Sequence, residues 1–523
     1  MTSRYCLVLL SLAVLSSTST VKLDIRQDID SRNAQLQRRA EHNLSKRGGP
    51  TLTASAENLL TRGLYFTNVT IGTPPQNLAL QIDTGSSDTW APSSISSLCE
   101  HSKKDCSTGS YLPSQSSSFQ VVGPDEFNIS YVDGTGAKGD YFQDNFSVGG
   151  ATLSQFEMGL ARDTTIGTGI MGIGYNNSEA NVNVRNGGNG TIYQNLPIAM
   201  VNQNKINSAA YSLWLNDLQS SSGSILFGGI DTAKYNGDLI SVDVYPTSHR
   251  LGVTSFTVAF TSLSATSSSG TDQLTPPDYA VAAILDSGTT ITLLPDDIAA
   301  LVYEELGAIP EPEIGAVVVP CALAQASGTL NYGFGGPGGP IIKVEVSDLV
   351  LPLTDSKGRG TTFKNGQPAC QLGIQAAGSL PVLFGDTFLR SAYTVYDLIN
   401  NRIALAQTNF NATGSNVVPF PSFGAPIPNA RTAQNEAQVT QTASSIPRPD
   451  TTDSMIISAQ PTAATTTDLN ASGGFESAAT STGSASKKHS SATARPNPTA
   501  WIWLVIGVLN ISLMGAGSTI LFL

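Results

Sequence analysis

Two short apolar segments of this chain end in the same pattern of an acid, a hydroxyl residue, a glycine and a second hydroxyl residue. Residues 78–82 alternate apolar side chains on one face and lead into residues 83–86, Asp-Thr-Gly-Ser. The apolar residues 281–285 lead into residues 286–289, Asp-Ser-Gly-Thr. A carboxylate at the end of a buried strand is costly to desolvate unless hydroxyl and backbone N–H groups bind it. The pattern therefore predicts two β-strands that each carry an acid into a hydrogen-bonded turn.

The repetition of this four-residue pattern is more informative about the fold than either copy alone. Asp83 and Asp286 lie in matching strand contexts, far apart in the chain. Two unrelated turns are the alternative, because Asp, Ser and Gly are common in turns generally. The matching apolar strands favour the other interpretation, in which two similar halves each bring one carboxylate to a shared point.

Composition agrees with a β-rich body. Charged residues make up 13% of the 523-residue chain, which is long enough for two sizeable cores. Frequent alternating strands with abundant Ser, Thr and Gly predict an all-β fold with polar appendages. The net charge of −12 comes without a basic stripe, so no nucleic-acid partner is expected. Carboxylates are protonated at low pH, so the negative charge of an acidic surface and its self-repulsion both decrease. This fits a protein that works in an acidic environment.

The N-terminus has the pattern of a secretory signal. Arg4 precedes an apolar run over residues 6–15, and small polar residues follow at 16–20. The run is too short to span a bilayer, so we interpret residues 1–20 as a signal peptide.

The next segment, residues 21–47, is polar and charged and contains the basic pairs Arg38-Arg39 and Lys46-Arg47. It is either a solvated linker with incidental basic pairs or a pro-segment cut after Lys46-Arg47. We favour the pro-segment, because a strand-like stretch at residues 64–72 begins soon afterwards.

Beyond about residue 409 the strand patterns stop. Residues 410–490 are rich in Ser, Thr, Ala and Pro and have few large apolar side chains. Such a segment buries too little surface to fold, and we expect an O-glycosylated stalk.

The last 23 residues, 501–523, form an uncharged apolar run. A transmembrane helix is one interpretation, since the length suffices to cross a bilayer. No basic cluster follows the run, and small residues at 490–492 precede a spacer, which favours a GPI-attachment signal over residues 491–523. Ser490 is the predicted attachment residue, with residues 483–484 as a second candidate.

The cysteines fit a secreted protein. Cys6 would leave with the signal peptide, and the other four allow three pairings: Cys99, Cys106, Cys321 and Cys370. Their spacing is not that of zinc ligands and the four His do not cluster with them, so neither a metal nor a cofactor is expected. Seven asparagines begin N-x-Ser/Thr glycosylation sequons: Asn68, Asn128, Asn145, Asn176, Asn189, Asn411 and Asn470.

Further motifs make a resemblance specific. They comprise a Tyr-Val-Asp-Gly-Thr-Gly hairpin, two segments with an apolar-apolar-Gly core, a Phe-Gly-Gly-Ile-Asp segment and two closing strands: residues 131–136, 169–174, 381–386, 224–231, 393–397 and 401–406. Together with the two tetrads, they resemble the pepsin-like aspartic proteases over about residues 64–408. The resemblance implies a monomeric, bilobal all-β fold with the cleft between lobes at residues 48–222 and 223–409.

The resemblance also implies roles for the two tetrads. Asp83 and Asp286 would form a catalytic dyad that activates one water molecule on peptide or protein substrates. The supporting residues would bind the outer carboxylate oxygens, complete the turns and join the lobes: Thr84, Gly85, Ser86, Ser287, Gly288 and Thr289. Ser287 stands where the family more usually has Thr, a departure that keeps the hydroxyl.

The hairpin implies a substrate-binding flap. Tyr131 would be the flap tyrosine and Trp90 its hydrogen-bonding partner, with Asp133, Gly134 and Thr135 at the tip. The alternatives are an ordinary strand aromatic for Tyr131 and a core residue for Trp90. The family pattern further implies the disulfides Cys99–Cys106 and Cys321–Cys370.

Pro-segment, stalk and lipid-attachment signal together resemble the yapsin-type fungal proteases of the plasma membrane and cell wall. That subgroup often cuts after basic residues, although the mixed-charge stretch 99–106 lacks the long acidic insertion that some members carry. The chain is thus expected to be a secreted, cell-surface aspartic endopeptidase that is active at acidic pH and prefers basic residues. The alternatives are a catalytically silent binding protein of the same fold and a structural cell-wall glycoprotein.

Overall fold

The computed structural model describes residues 20–27, 64–102, 105–182, 190–220, 222–247, 251–312, 314–355, 358–436 and 471–475. Strands dominate these residues, so the all-β prediction is confirmed. In chain order, strands β1 to β29 are Val21–Gln27, Tyr65–Ile71, Gln76–Asp83, Thr89–Pro92, Gln120–Ser130, Gly136–Val148, Ala151–Thr164, Ile170–Gly172, Ala210–Trp214, Ser222–Phe227, Gly229–Asp231, Tyr235–Asp243, Thr257–Ser267, Gly270–Gln273, Val281–Leu285, Thr292–Leu294, Ile309–Glu311, Ala316–Pro320, Gly328–Phe334, Ile341–Glu345, Val350–Pro352, Thr361–Thr362, Pro368–Leu372, Ile374–Ala376, Leu383–Phe384, Ala392–Asp397, Arg402–Thr408, Val417–Pro419 and Ala430–Thr432.

Helices are short. The α-helices α1 to α5 are Ser97–His101, Leu196–Asn202, Asp296–Leu306, Asp386–Leu389 and Ser472–Phe475. Single-turn 3-10 helices lie at Pro113–Gln115, Asn176–Ser178, Ala180–Val182, Cys321–Gln325 and Val346–Leu349.

The same four-strand motif occurs twice and carries the two acid turns. In the first half the spatial order is β3-β8-β4-β7, and in the second it is β15-β25-β16-β24. The pairings run parallel, antiparallel and parallel in both copies. Since each copy begins with the strand that leads into an acid, the predicted duplication is confirmed at the level of strand topology.

One large sheet joins the two halves. Its order is β29-β12-β27-β26-β9-β10-β1-β2-β3-β8-β4-β7-β6-β5. Strands β26 and β27, from the end of the second half, pair beside β9 of the first. The lobe boundary expected at residues 222 and 223 therefore falls inside strand β10 rather than in a linker.

The first described strand lies earlier than expected. The sequence suggested no strand before residue 64, yet Val21–Gln27 pairs antiparallel with β10 and β2 in the large sheet. Its alternate side chains Val21, Leu23 and Ile25 are buried in the main core. The predicted pro-segment therefore contributes a strand to the body.

The first part of the predicted stalk is folded onto the body. Residues 410–436 pack along the body: β28 pairs with β11, and β29 extends the large sheet beside β12. Phe420 and Ile427 are buried there, and buried Asp231 accepts hydrogen bonds from the Asn416 N–H and the Ser415 hydroxyl. Strand pairing, two buried apolar side chains and the bonds to Asp231 thus help to hold a segment whose average composition is that of a stalk.

Both disulfides form in the expected pairing. Cys99 and Cys106 are bonded with Cα atoms 5.4 Å apart, and Cys321 and Cys370 with Cα atoms 4.9 Å apart. Each bridge stays within one half of the chain.

Several predictions concern residues that the structure does not describe: the signal peptide, the Lys46-Arg47 pair, Asn189, Asn470, Ser490 and the apolar run 501–523. Within the described ranges no helix has both the length and the apolar character needed to cross a membrane.

Candidate active site

The turn after β3 holds the Asp83 carboxylate by both oxygens. The Gly85 N–H donates to Oδ1 over 2.8 Å, and the Ser86 hydroxyl donates to Oδ2 over 2.5 Å. The sequence folds this way because Asp83 ends a buried strand and the following Thr-Gly-Ser supplies the donors. A carboxylate that would otherwise be poorly solvated is thereby fixed in one orientation.

The turn after β15 repeats this arrangement atom for atom. The Gly288 N–H donates to Asp286 Oδ1 over 2.8 Å, and the Thr289 hydroxyl donates to Oδ2 over 2.6 Å. The two carboxylates thus have the same pair of hydrogen-bond donors, although Asp83 is buried and Asp286 is half-buried.

The two carboxylates face each other across the turn glycines. A Cβ added at Gly85 would lie 2.5 Å from Asp286 Oδ1, and one added at Gly288 would collide with Asp83 Oδ1. Only glycine leaves room at these positions for the acid of the opposite half. The structure therefore brings Asp83 and Asp286 together.

Reciprocal hydrogen bonds lock the two turns together. The Thr84 hydroxyl accepts from the Ser287 N–H over 2.9 Å and donates to the Leu285 carbonyl over 3.1 Å. The Ser287 hydroxyl accepts from the Thr84 N–H over 3.2 Å and donates to the Ile82 carbonyl over 3.3 Å. All four residues are buried, which makes the lock stronger than the same bonds in water.

The apolar-apolar-Gly strands support the turns from behind. The Ile173 N–H donates to the Asp83 carbonyl over 2.9 Å, and the Asp286 N–H donates to the Phe384 carbonyl over 3.1 Å. A Cβ at Gly172 would lie 2.7 Å from the Asp88 nitrogen, and one at Gly385 would collide with the Thr289 carbonyl oxygen. The glycines are needed for this close backbone approach.

Burial and the neighbouring Asp286 carboxylate both raise the pKa of Asp83 well above that of an ordinary aspartate. Hydrogen bonds from Ser86 and Gly85 oppose this increase only in part. Two carboxylates this close do not both ionise readily, so a proton is kept at this site to a pH above the usual range of an aspartic acid.

A hairpin formed by β5 and β6 carries the predicted flap. Its tip closes with bonds from the Tyr131 N–H to the Thr135 carbonyl and from the Gly134 N–H to the Tyr131 carbonyl. Asp133 accepts from both the N–H and the hydroxyl of Thr135 within the tip. Gly134 has a positive φ of 79° with open space around it, as a tight exposed turn requires.

Tyr131 is tied to the first half of the site by Trp90. The indole Nε1–H of buried Trp90 donates to the Tyr131 hydroxyl over 2.8 Å. Burial, with a further contribution from the Asp83 charge, raises the pKa of Tyr131 well above its usual value. The hydroxyl therefore stays protonated and can donate to a substrate.

A buried acidic cluster that the sequence patterns did not indicate lies just behind the first acid turn. Asp88 accepts hydrogen bonds from the hydroxyls of Tyr141 and Tyr193 and from the Ala180 N–H. Glu179 accepts from the Tyr193 N–H, and both acids are almost fully buried. Burial raises the pKa of Asp88, and burial together with Asp88 raises that of Glu179 to about 10. The position of Asp88 beside the tetrad was the only signal in the sequence.

The sequons differ in accessibility. Asn68 and Asn411 are exposed, whereas Asn128 and Asn176 are half-buried. The half-buried Asn145 uses its amide to donate to the Thr73 hydroxyl over 2.9 Å. Among the described sequons, Asn68 and Asn411 are thus the most open to a glycan. No group of three or more His, Cys, Asp or Glu side chains within the described ranges is arranged to hold a metal ion.

Comparisons with known proteins agree with this geometry. Residues 64–408 match the sequence profile described as eukaryotic aspartyl protease. A probable aspartic-type endopeptidase, opsB, of Aspergillus oryzae is 42% identical over 80% of this chain and 82% of its own length. Secreted aspartic protease 3 of Candida albicans is 34% identical over 68% of this chain and 81% of its own length.

A solved structure supports the fold. The aspartic proteinase from Irpex lacteus superposes with a TM-score of 0.52 at 23% identity, over 68% of this chain and 96% of that protein. Because the profile covers most of the chain and the relatives are similar over most of their length, the chain belongs to the pepsin-like family of eukaryotic aspartyl proteases and is an enzyme that hydrolyses peptide bonds.

Proposed function

We propose that this enzyme cleaves peptide bonds within proteins by means of one water molecule held between Asp83 and Asp286. The observation that carries the proposal is the mirrored pair of turns, in which each carboxylate is fixed by one N–H and one hydroxyl. Two fixed acids that share a proton can act as general base and general acid in the same step.

In the proposed mechanism, the ionised member of the pair takes a proton from the water as the water oxygen attacks the peptide carbonyl carbon. The protonated member donates a hydrogen bond, and then its proton, to the carbonyl oxygen. Collapse of the tetrahedral intermediate breaks the C–N bond: the amine takes the proton that came from the water, and one hydroxyl of the intermediate returns its proton to the other carboxylate. The pair is thereby left with one proton again, and no covalent acyl-enzyme forms.

Tyr131 and the flap tip are proposed to close over the bound peptide. The bond from Trp90 to the Tyr131 hydroxyl supports a fixed position for the ring beside the dyad. The open space around Gly134 supports movement of the tip, since no packed neighbour restrains the backbone there.

Activity at acidic pH follows from the same pair. The mechanism needs one proton on two carboxyl groups, and deprotonation of both abolishes the general acid. Because the pKa of Asp83 is raised, the singly protonated pair persists to higher pH than an isolated aspartic acid would, and is lost as pH rises through that pKa.

We further propose secretion, proteolytic removal of residues 21–47 and GPI attachment to the cell surface. The support is the signal-like N-terminus, the Lys46-Arg47 pair and the apolar end of the chain. Because strand β1 lies between β10 and β2, removal of the pro-segment would vacate a strand position in the large sheet. Preference for basic residues at the cleavage site rests on the subgroup resemblance and the acidic net charge.

The direct test is hydrolysis of an unfolded protein substrate by the purified enzyme at acidic and neutral pH, with and without a pepstatin-type inhibitor. The proposal expects internal cleavage at acidic pH that the inhibitor stops. A protein that stays inactive after removal of residues 21–47 would contradict it. A peptide library read out in the same assay tests the basic preference, and a purely hydrophobic preference would overturn that part.

A further inference from the structure

A short piece of the predicted stalk is folded onto the body. Residues 471–475, Ala-Ser-Gly-Gly-Phe, are separated from the last described residue of the body by residues 437–470. Ala471 is 0% exposed and Phe475 is 3% exposed, and both belong to the main hydrophobic core. Nothing in the surrounding Ser/Thr-rich composition predicts such burial.

Hydrogen bonds fix the beginning of the segment. The Ala471 N–H donates to Asp272 Oδ2 over 2.8 Å, and the Ser267 hydroxyl donates to the Ala471 carbonyl over 2.6 Å. Ser267 ends β13 and Asp272 lies in β14, so one hairpin binds both backbone polar groups of Ala471. The Gly474 N–H closes the turn on the same Ala471 carbonyl.

The Phe475 side chain fixes the other end. Its ring lies against Gly328 at the start of β19, where an added Cβ would come within 2.5 Å of the ring. A Cβ on Gly474 would likewise collide with the Ser267 hydroxyl. A glycine of the body and a glycine of the segment thus each leave the space that allows the two to pack closely. Phe475 is also the single Phe, Tyr or Trp between positions 437 and 490, so no other tail residue offers the same ring.

We propose that the groove between the β13–β14 hairpin, β19 and helix α3 is a docking site for residues 471–475 of the same chain, and that docking shortens the tether to the membrane. This second part rests on the proposed lipid attachment at Ser490. From Glu436 to Ser490 the chain runs 54 residues, and from Phe475 it runs 15. At ~3.5 Å per extended residue, docking reduces the maximum reach from about 190 Å to about 50 Å. The docked segment would keep the catalytic body close to the surface that carries it.

The docking itself is tested without reference to the lipid. Amide hydrogen exchange is measured on the purified protein with its tail intact, for the wild type and for Phe475→Ala. We expect the peptide that covers residues 471–475 to exchange at least 10-fold more slowly in the wild type than in Phe475→Ala. Phe423→Ala is the matched control, because Phe423 is 62% exposed and lies outside the groove. Peptide hydrolysis is expected to be unchanged in both variants.

Equal exchange of this peptide in the wild type and in Phe475→Ala would overturn the docking site. The tether is tested by energy transfer between dyes at Ser486→Cys and Lys364→Cys. Undocking in Phe475→Ala should broaden and lengthen the distance distribution, and an unchanged distribution would overturn the shortening. Release of the protein from cells by a phosphatidylinositol-specific phospholipase separately tests the lipid attachment. Failure of the lipid attachment and failure of the docking site would therefore be seen in different measurements.

Discussion

Thr84 and Ser287 exchange hydrogen bonds between the two halves of the molecule, with each backbone N–H donating to the other residue's hydroxyl oxygen. These residues directly follow the two aspartates of the proposed dyad, so the lock acts at the point where the carboxylates meet. The two halves therefore form one site, and neither half on its own is expected to have activity.

Thr84→Ala should destabilise the enzyme. The substitution leaves the Ser287 N–H and the Leu285 carbonyl without their partner in a buried site. One to three kcal/mol for each of these two unsatisfied groups predicts a decrease of about 2–6 kcal/mol in the free energy of unfolding. Urea unfolding at acidic pH measures it, with Thr84→Ser as the control that keeps the hydroxyl. Wild-type stability of Thr84→Ala would contradict the lock.

Gly288→Ala should reduce activity more than stability. Its new Cβ would collide with Asp83 Oδ1 and displace the carboxylate from the shared water. A displacement of about 1 Å at a reacting group commonly lowers the rate about 100-fold, which is the expected change in kcat/KM.

Gly360→Ala is the matched control for this substitution, because an added Cβ there meets no atom within 4 Å. Its kcat/KM should equal that of the wild type. Full activity of Gly288→Ala would mean that the two carboxylates are not in contact through the turn glycines.

Tyr131→Phe should impair catalysis by releasing the flap from Trp90. The lost hydroxyl leaves the Trp90 Nε1–H unpaired in a buried site, at a cost of about 1–3 kcal/mol to the closed arrangement. This corresponds to a decrease of roughly 10- to 100-fold in kcat/KM. Steady-state kinetics test the prediction, and Tyr235→Phe in β12 should show no change. Equal kcat/KM for Tyr131→Phe and wild type would remove Tyr131 from the mechanism.

Stability should fall as pH rises above the acidic range, in part through Glu179. Burial, and next the Asp88 charge, raise its pKa to about 10, with Glu157 adding to the increase. The folded state therefore binds this proton more tightly than the unfolded state does. The resulting stabilisation is fully present at pH below the unfolded pKa, and it is lost as the pH rises towards 10.

Glu179→Gln removes this dependence while keeping an oxygen for the Tyr193 N–H. The free energy of unfolding should therefore fall less between pH 4 and pH 7 than in the wild type, by on the order of 1–3 kcal/mol. Urea unfolding at the two pH values measures the difference, and the exposed Glu100→Gln is the control. Identical pH dependence in Glu179→Gln and wild type would show that Glu179 does not carry this effect.

The two acid turns could be predicted from sequence because each is local. Four residues supply the acid, both donors and the glycine, and duplication at Asp83 and Asp286 identified the pair. The flap was predictable for the same reason, since Tyr131 and its glycines lie within one hairpin.

What the sequence did not predict depends on distant partners. Strand β1 is a seven-residue alternation whose partner β10 lies about 200 residues away, so composition assigned it to a polar pro-segment. Phe420 and Phe475 do not belong to any periodic pattern of apolar residues. Their burial depends on grooves that are formed by strands far away in the sequence. Asp88 and Glu179 are acids whose shared burial only the folded chain brings about.

In the proposed mechanism, Asp83 and Asp286 act as one catalytic unit. The most direct measurement compares the rate of protein hydrolysis at acidic pH for Asp83→Asn, Asp286→Asn and the double variant, each checked for folding. If the pair shares one water and one proton, each single variant should lose at least about 1,000-fold in kcat, and the double variant should lose no more than the singles. Substantial activity in either single variant, or losses that multiply in the double variant, would show that the two carboxylates do not act as one unit.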